Sequence, residues 1–301
     1  MKVNYRVNYI SARANFMLPK VSIVTPSLNQ AAYLEKTILS VLKQDYPNIE
    51  FIIVDGGSTD GSLDIIKKFQ DRLAYWVSEP DAGQSQAINK GFARAAGEIF
   101  NWLNADDLLM PSAVKIAVHY LMQKPDVGVV YGDRITIDEK GNFLRLTQVP
   151  AYCARAIQHH LRIPQETVFV RRRCWFEVKG LDEKINFCMD YDLFLKLSKV
   201  TQFYHIPFVL GAYRRHPLSK TVLYSRVHKK KAAEEIDRVY FQNFSQNRSN
   251  FMKKFYKKFN SMRLFFETMS RSRKREVKDI MHLIEVGGMD SPSYNRLTVD
   301  R

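Results

Sequence analysis

Residues 104–107 read Asn-Ala-Asp-Asp and follow the apolar run Ile99-Phe100-Asn101-Trp102-Leu103, which has the composition of a buried strand. Two adjacent carboxylates at a strand's exit are poor core material. They suit a hard divalent cation, which takes oxygen ligands and is often shared with the phosphates of a substrate. A plain surface turn fits the tetrapeptide alone equally well, so other residues must decide. Asp55 closes a second apolar run, Phe51-Ile52-Ile53-Val54. An ionised carboxylate only accepts hydrogen bonds, and here it could take one from the imino N–H of a pyrimidine base. Gly56-Gly57 would let the backbone approach a ligand closely. Ser58 and Asp60 fit the capping of the next helix as well as any binding role.

Three further segments carry polar chemistry. In Glu79-Pro80-Asp81-Ala82-Gly83-Gln84, Asp81 either caps the helix that follows or lines a nucleotide site. Met189-Asp190-Tyr191-Asp192 places two carboxylates at a helix start, where the dipole favours ionised acids. Those two cannot easily share one pocket, so one is functional and the other structural. An aspartate beside a sugar hydroxyl can act as general base, worth roughly 10²- to 10⁴-fold in rate. In Tyr213-Arg214-Arg215-His216-Pro217-Leu218-Ser219, the cations could neutralise a diphosphate or His216 could complete a metal shell. His159-His160 has no such company and is left as surface or loop.

The elements that must position these residues alternate. Val21–Thr25 is a β-branched run ended by Pro26, and Leu34, Ile38, Val41 and Leu42 fall at helical spacing. The pattern of strand, loop and helix repeats through Phe51–Val54 with Leu63, Ile66 and Phe69, then through 74–77 with 84–95, and ends on the strand 98–103. Such alternation builds a mainly parallel α/β sheet with helices on both faces and ligands at the carboxyl ends of the strands. Asp55 and Asp106-Asp107 lie at such ends. Beyond residue 111 a helix over 112–123, a strand at 127–131, a hairpin turning at 138–142, a strand at 167–170 and a helix over 190–199 extend the sheet with mixed strands. No GxGxxG follows the first strand and no Walker loop is present, which disfavours a dinucleotide-dependent dehydrogenase.

The chain has 301 residues, 46% hydrophobic, enough for one large α/β domain with an appendage. No apolar run approaches the roughly 20 residues of a membrane span; the candidate around 203–213 is interrupted by Pro207. The first 18 residues lack the apolar centre of a secretory signal. Cys153, Cys174 and Cys188 have no metal-ligand spacing and fit core thiols in a reducing cytosol. The net charge is +15, and residues 226–275 alone hold 15 Lys or Arg against four Asp or Glu. Within them Phe251, Phe255, Phe259, Met262, Phe266 and Met269 form one helical stripe flanked by Lys253, Lys254, Lys257, Lys258 and Arg263. Residues 245–276 thus fit an anionic membrane surface, or a helix docked on the body with a solvated lysine face. The expected domains are an extension over 1–18, a catalytic body over 19–223 and a basic, mainly helical region over 224–301. A cytoplasmic protein, with peripheral attachment to the inner face of the plasma membrane as an option, follows from these features.

In order, VSIVTPSLN (21–29), DGGSTD (55–60), EPDAGQSQAINKG (79–91), NADD (104–107), QETVFVRR (165–172), MDYDLFLKL (189–197) and RRHPLS (214–219) resemble family 2 glycosyltransferases over about residues 19–221. The resemblance implies the GT-A fold, a nucleotide-diphospho-sugar donor, a divalent cation (Mn²⁺ or Mg²⁺) and inversion at the anomeric carbon. By position, Pro26 and Asp55 would bind the nucleoside, with Asp55 facing uracil in a UDP-sugar, and Asp81 would line the donor pocket. Asp107 would be the direct metal ligand, and Asp106 would lie nearer the ribose or sugar while sharing the metal site. Asp190 would be the catalytic base. Asn104 stands where that element is often acidic, and Met189 where the family carries Glu. The acceptor would be a hydroxyl of a glycan or lipid-linked molecule in bacterial cell-surface polysaccharide synthesis. Competing readings are a donor-binding but catalytically silent relative, and a nucleic-acid-binding protein using the basic region. The latter has no reading motif, so nucleic acid is not the expected partner.

Overall fold

The structure, a computed structural model, describes residues 18–149 and 163–243. Cys153, His159, His160, the extension up to residue 17 and the basic stretch 245–276 lie outside the described residues. Four parallel strands open the chain: β1 (Val21–Ser27), β2 (Ile49–Asp55), β3 (Tyr75–Ser78) and β4 (Ile99–Trp102). Between them run helices α1 (Ala31–Leu42), α2 (Ser62–Phe69) and α3 (Gln84–Arg94). The second half adds β5 (Leu108–Leu109), α4 (Ala113–Gln123), β6 (Val127–Ile137), β7 (Phe143–Thr147), β8 (Phe169–Arg171), α5 (Arg172–Glu177), α6 (Met189–Val200) and β9 (Gln202–Arg214). Two more helices, α7 (Lys220–Arg226) and α8 (Lys229–Asn243), follow.

One mixed sheet runs β3-β2-β1-β4-β8-β6-β9-β5, with β7 paired to β6. The strand residues alternate between two cores. Ile23, Phe51, Ile53 and Ile99 face α1, α2 and α4 through Leu34, Ile38, Ile66 and Val118. Val24, Ile52, Val54 and Phe100 face the other way, against Ile88 and Phe92 of α3, Trp175 of α5 and Leu193 of α6. β1 is covered on both faces and buried at all seven positions, Ser22, Thr25 and Ser27 among them. Truncating one such residue to alanine typically costs about 2–5 kcal/mol. Gly91 in α3 is required by close approach, since a Cβ there would sit 2.5 Å from Val24 Cγ1.

Chain order reverses at β1. From β1 the sheet grows one way through β2 and β3, and the other way through β4, so α1 and α3 leave on opposite faces. A crevice opens where such a sheet changes direction, outside the carboxyl ends of the strands. β4 pairs with β1 only as far as Val24↔Trp102, whereas β2 pairs on to Ser27↔Asp55. Pro26, beyond the last β4 pair, therefore costs no ladder bond on that side.

The run 203–213 becomes the long strand β9, although Pro207 interrupts its pattern. Pro207 falls in a register shift where Gly132↔Ile206 jumps to Asp133↔Val209, the kind of irregularity that tolerates a missing N–H. The boundary expected between 223 and 224 lies inside α7. Beyond it α8 packs against α6, and Val239 is fully buried in the same core as Leu193 and Trp175.

Candidate active site

The first two loops after strands are laced together. Asp55, fully buried, accepts hydrogen bonds at Oδ2 from the backbone N–H groups of Gly57 (3.1 Å) and Ser58 (2.9 Å) and from Ser78 Oγ (2.7 Å), and at Oδ1 from Ser58 Oγ. The carboxylate thus shapes the loop 56–58, a role beside which one Oδ1 lone pair remains. Asp60 accepts from Ala31 N–H at the start of the neighbouring helix α1 (2.9 Å) and from Ser62 N–H (3.0 Å). Burial pushes Asp60 up, but the Ser62 hydroxyl and these N–H groups outweigh it and hold the carboxyl below its ordinary value. Asn29, at φ 53°, accepts from Thr59 N–H and completes the lacing.

Asp81 comes to the same place. A Cβ on Gly56 would lie 2.8 Å from Asp81 Oδ2, so the glycine makes room for this carboxylate. Oδ1 accepts from Gly83 N–H (2.8 Å) just ahead of α3. The first residue of α3, Gln84, donates from Nε2 to Asn104 Oδ1 (2.7 Å) and accepts from Lys220 Nζ (3.2 Å). Asn104 in turn donates to Asp107 Oδ2 (3.1 Å) and to Gln165 Oε1 (3.2 Å). Hydrogen bonds therefore run from the first residue of α3 to Asp107 and across to α7, with Asp81 packed against the β2 loop just ahead of them.

The antiparallel register Leu108↔Ala212, continued by two residues, sets Asp106 and Asp107 beside Arg214. Arg214 is fully buried, and its Nε donates to Asp106 O (2.9 Å) while its backbone N–H donates to Asp107 Oδ1 (2.9 Å). Asp107 is 1% exposed with a protein donor on each oxygen. Burial pushes its carboxyl well above the usual range, and Asp106 and Glu166 push the same way. Asp106 differs: its side chain is 17% exposed and Oδ2 meets His216 Nε2 at 2.9 Å. Tyr33 covers this corner, its ring 4.6 Å from that of His216 and 5.1 Å from the Arg214 guanidinium.

No group of three His, Cys, Asp or Glu stands ready to hold a metal ion among the described residues. Asp106, with its carboxylate at the crevice and steadied by His216, does fit a cation that keeps waters and takes further oxygens from a diphosphate. Asp107, which the resemblance makes the direct ligand, is instead enclosed with a protein donor on each oxygen, an arrangement that holds the loop carrying Asp106.

Helix α6 separates the two acids of its first turn. Asp192 is buried, with Lys196 Nζ at 2.6 Å and Asn243 Nδ2 at 3.1 Å. Asp190 is half-buried and accepts from Tyr191 N–H (2.8 Å). Lys220 and Glu166 are close enough to Asp190 for their charges to interact with it. Met189 turns into the core, where Ser85 Oγ meets its sulfur at 3.0 Å. Gln84, Gln165, Lys220 and Tyr33 were not marked in the sequence as site residues. Each is a single polar or aromatic residue whose partners lie far along the chain; Gln84 and Gln165 alone stood inside motifs.

The model for "Glycosyl transferase family 2" matches residues 22–184. Chondroitin synthase of Pasteurella multocida is 30% identical over 198 residues, 63% of this chain and 20% of that protein. The uncharacterized glycosyltransferase RT0329 of Rickettsia typhi is 30% identical over 219 residues, 69% of this chain and 68% of its own. The chain thus spans about a fifth of the length of the synthases it matches. Among solved structures, S. aureus TarS 1-349 in complex with UDP-GlcNAc superposes with a TM-score of 0.60 at 17% identity, covering 86% of this chain and 76% of that one. The mannosyltransferase PcManGT from Pyrobaculum calidifontis, in complex with GDP-Man and Mn²⁺, gives 0.58 at 16%, covering 94% and 79%. These likenesses define the fold as GT-A. The chain belongs to glycosyl transferase family 2.

Proposed function

We propose that this protein transfers a sugar from a nucleotide-diphospho-sugar, a UDP-sugar, to a hydroxyl of a glycan or lipid-linked acceptor with inversion at the anomeric carbon. The observation that carries this reading is that Asp55, Asp81 and Asp106-Asp107 all follow neighbouring strand ends, with Asp81 against Gly56 of the Asp55 loop, and Gln84 and Asn104 hydrogen-bonding from the start of α3 to Asp107 and to Lys220.

Pro26 and the Asp55 loop receive the nucleoside, and Asp81 with the N-terminal end of α3 forms the floor of the donor site. Asp106, held by His216, is the carboxylate that would meet a Mn²⁺ or Mg²⁺ ion, while Asp107 and Arg214 fix its loop. Such an ion supplies charge neutralisation for a departing diphosphate. Asp190 takes the proton of the acceptor hydroxyl as the oxygen forms its bond to C1, opposite the breaking bond to the nucleotide. Named relatives include chondroitin and hyaluronan synthases, and a TarS structure holds UDP-GlcNAc, which favours cell-surface polysaccharide synthesis and a UDP-sugar. Among the described residues no helix is long and apolar enough to cross a membrane. Cytoplasmic placement, with residues 245–276 meeting an anionic membrane, remains part of this proposal.

Thermal stabilisation by UDP, dTDP, GDP and CDP, each with and without Mn²⁺, tests the donor site. A ligand at about 100 times its Kd adds roughly 2.7 kcal/mol. A shift with UDP that grows with Mn²⁺ and is lost in Asp106→Ala is expected. No shift with any nucleotide would overturn the reading.

A further inference from the structure

The family match ends at residue 184, before the helix that carries Asp190. What fixes the start of that helix comes from farther along the chain. Cys188, the residue ahead of α6, offers no side-chain cap. Instead the backbone N–H groups of Asn186, Phe187 and Cys188 all donate to the carboxylate of Glu235 on α8: Asn186 to Oε2 at 3.2 Å, Phe187 and Cys188 to Oε1, the latter at 2.9 Å. The Glu235 side chain is 13% exposed. α7 holds two of these residues, Asn186 and Phe187, from another side. Tyr224 stacks on Phe187, ring centroids 4.6 Å apart and 12° from parallel, and its hydroxyl accepts from Asn186 Nδ2 (2.9 Å). Lys220, also on α7, lies within the fields of both Asp190 and Glu235 and reaches Gln84 of the donor floor.

Asn186 is exposed and could leave its N–H to water, whereas the buried Cys188 needs a partner for its own; one carboxylate that gathers all three donors is more than that single buried N–H requires. Three charge-assisted bonds to one group fix a path as well as satisfy donors. Asp190 begins two residues beyond that path, and base catalysis is sensitive to displacements of about 1 Å.

We propose that Glu235 is a positioning residue for Asp190: by gathering the N–H groups of 186–188 it sets where helix α6 starts and so where the carboxylate of Asp190 stands. The pair α7–α8 is then a working part of the site. This rests on Asp190 being the base, so Asp190→Asn is measured beside it.

The test uses Glu235→Ala and Glu235→Gln in the full chain, with Glu234→Gln, the 64% exposed neighbour, as control. Hydrogen–deuterium exchange over 186–192, UDP affinity, and UDP release from UDP-N-acetylglucosamine are read for each. Expected for Glu235→Ala are exchange at least tenfold faster over 186–192 and kcat at least tenfold lower. UDP affinity should stay within twofold and sheet exchange should not change. Glu235→Gln, which keeps the shape but turns an amide toward one N–H, falls between, and the control matches wild type. Unchanged exchange over 186–192, unchanged kcat, or a loss shared by UDP affinity and the sheet overturns the proposal. Turnover surviving in Asp190→Asn would instead sink the base reading, whereas its loss there with normal kcat in Glu235→Ala sinks the positioning role alone.

Discussion

Gly56→Ala isolates the donor floor. Gly56 has a φ outside the left-handed region, so the backbone itself accepts alanine; the obstacle is the carboxylate of Asp81. The new Cβ would stand 2.8 Å from Oδ2, 3.2 Å from Cγ and 3.3 Å from Oδ1. Ordinary contact is near 3.5 Å, so the carboxylate must retreat by about 0.5–1 Å. That stretches the 2.8 Å bond from Gly83 N–H. Losing it would cost about 0.5–1.5 kcal/mol, against about 0.4–1 kcal/mol gained from a less flexible unfolded chain. Net stability should therefore move by less than about 1 kcal/mol. Donor binding should move more, because a hydrogen bond to an ionised group contributes about 1.5–3 kcal/mol, or about 10- to 150-fold in Kd. Isothermal titration with UDP-N-acetylglucosamine, paired with urea unfolding, reads both. Unchanged affinity would refute the role of Asp81, and a large stability loss would refute the claim that only a side chain blocks the methyl.

Arg214→Met should cost about 3–5 kcal/mol, because it removes a buried cation whose guanidinium serves Asp106 O, Asp138 O and Glu139 O beside two carboxylates; urea curves showing under about 1 kcal/mol would contradict it. Burial pushes Glu235 up, but the N–H groups of 186–188 outweigh it and hold the carboxyl below the ordinary glutamate value. A lowered folded value means stability present above the unfolded value and lost as pH falls through the folded one. The stability gap between wild type and Glu235→Gln should thus hold from pH 8 to 6 and shrink below about 4.5; a gap that widens on acidification would contradict the hydrogen-bond pattern.

Much of the site was legible because its acids end strands. A β-branched run gave β1 and apolar runs gave β2 and β4, and Asp55 and Asp106-Asp107 follow from where the latter two stop. The hairpin at 138–142 and the helix bearing Asp190 were equally local signals. Arg214 was not legible as a core residue, since an arginine is buried only when distant carbonyls and carboxylates receive it, and those come from residues 106, 107, 138 and 139. Lys220 and Glu235 were hidden for the same reason. Their partners lie in α3 and ahead of α6, while the local composition is simply basic. β9 was obscured by Pro207, whose cost disappears only once the register shift with β6 is known.

The most direct test of the central claim compares wild type with Asp190→Asn for UDP affinity and for sugar transfer from UDP-N-acetylglucosamine to a glycan acceptor. The variant keeps the volume of the side chain and loses its basicity. Transfer lost by about 10²-fold or more, with UDP affinity within twofold of wild type, is the expected result. Substantial turnover in the purified variant would contradict the assignment of Asp190 as the base.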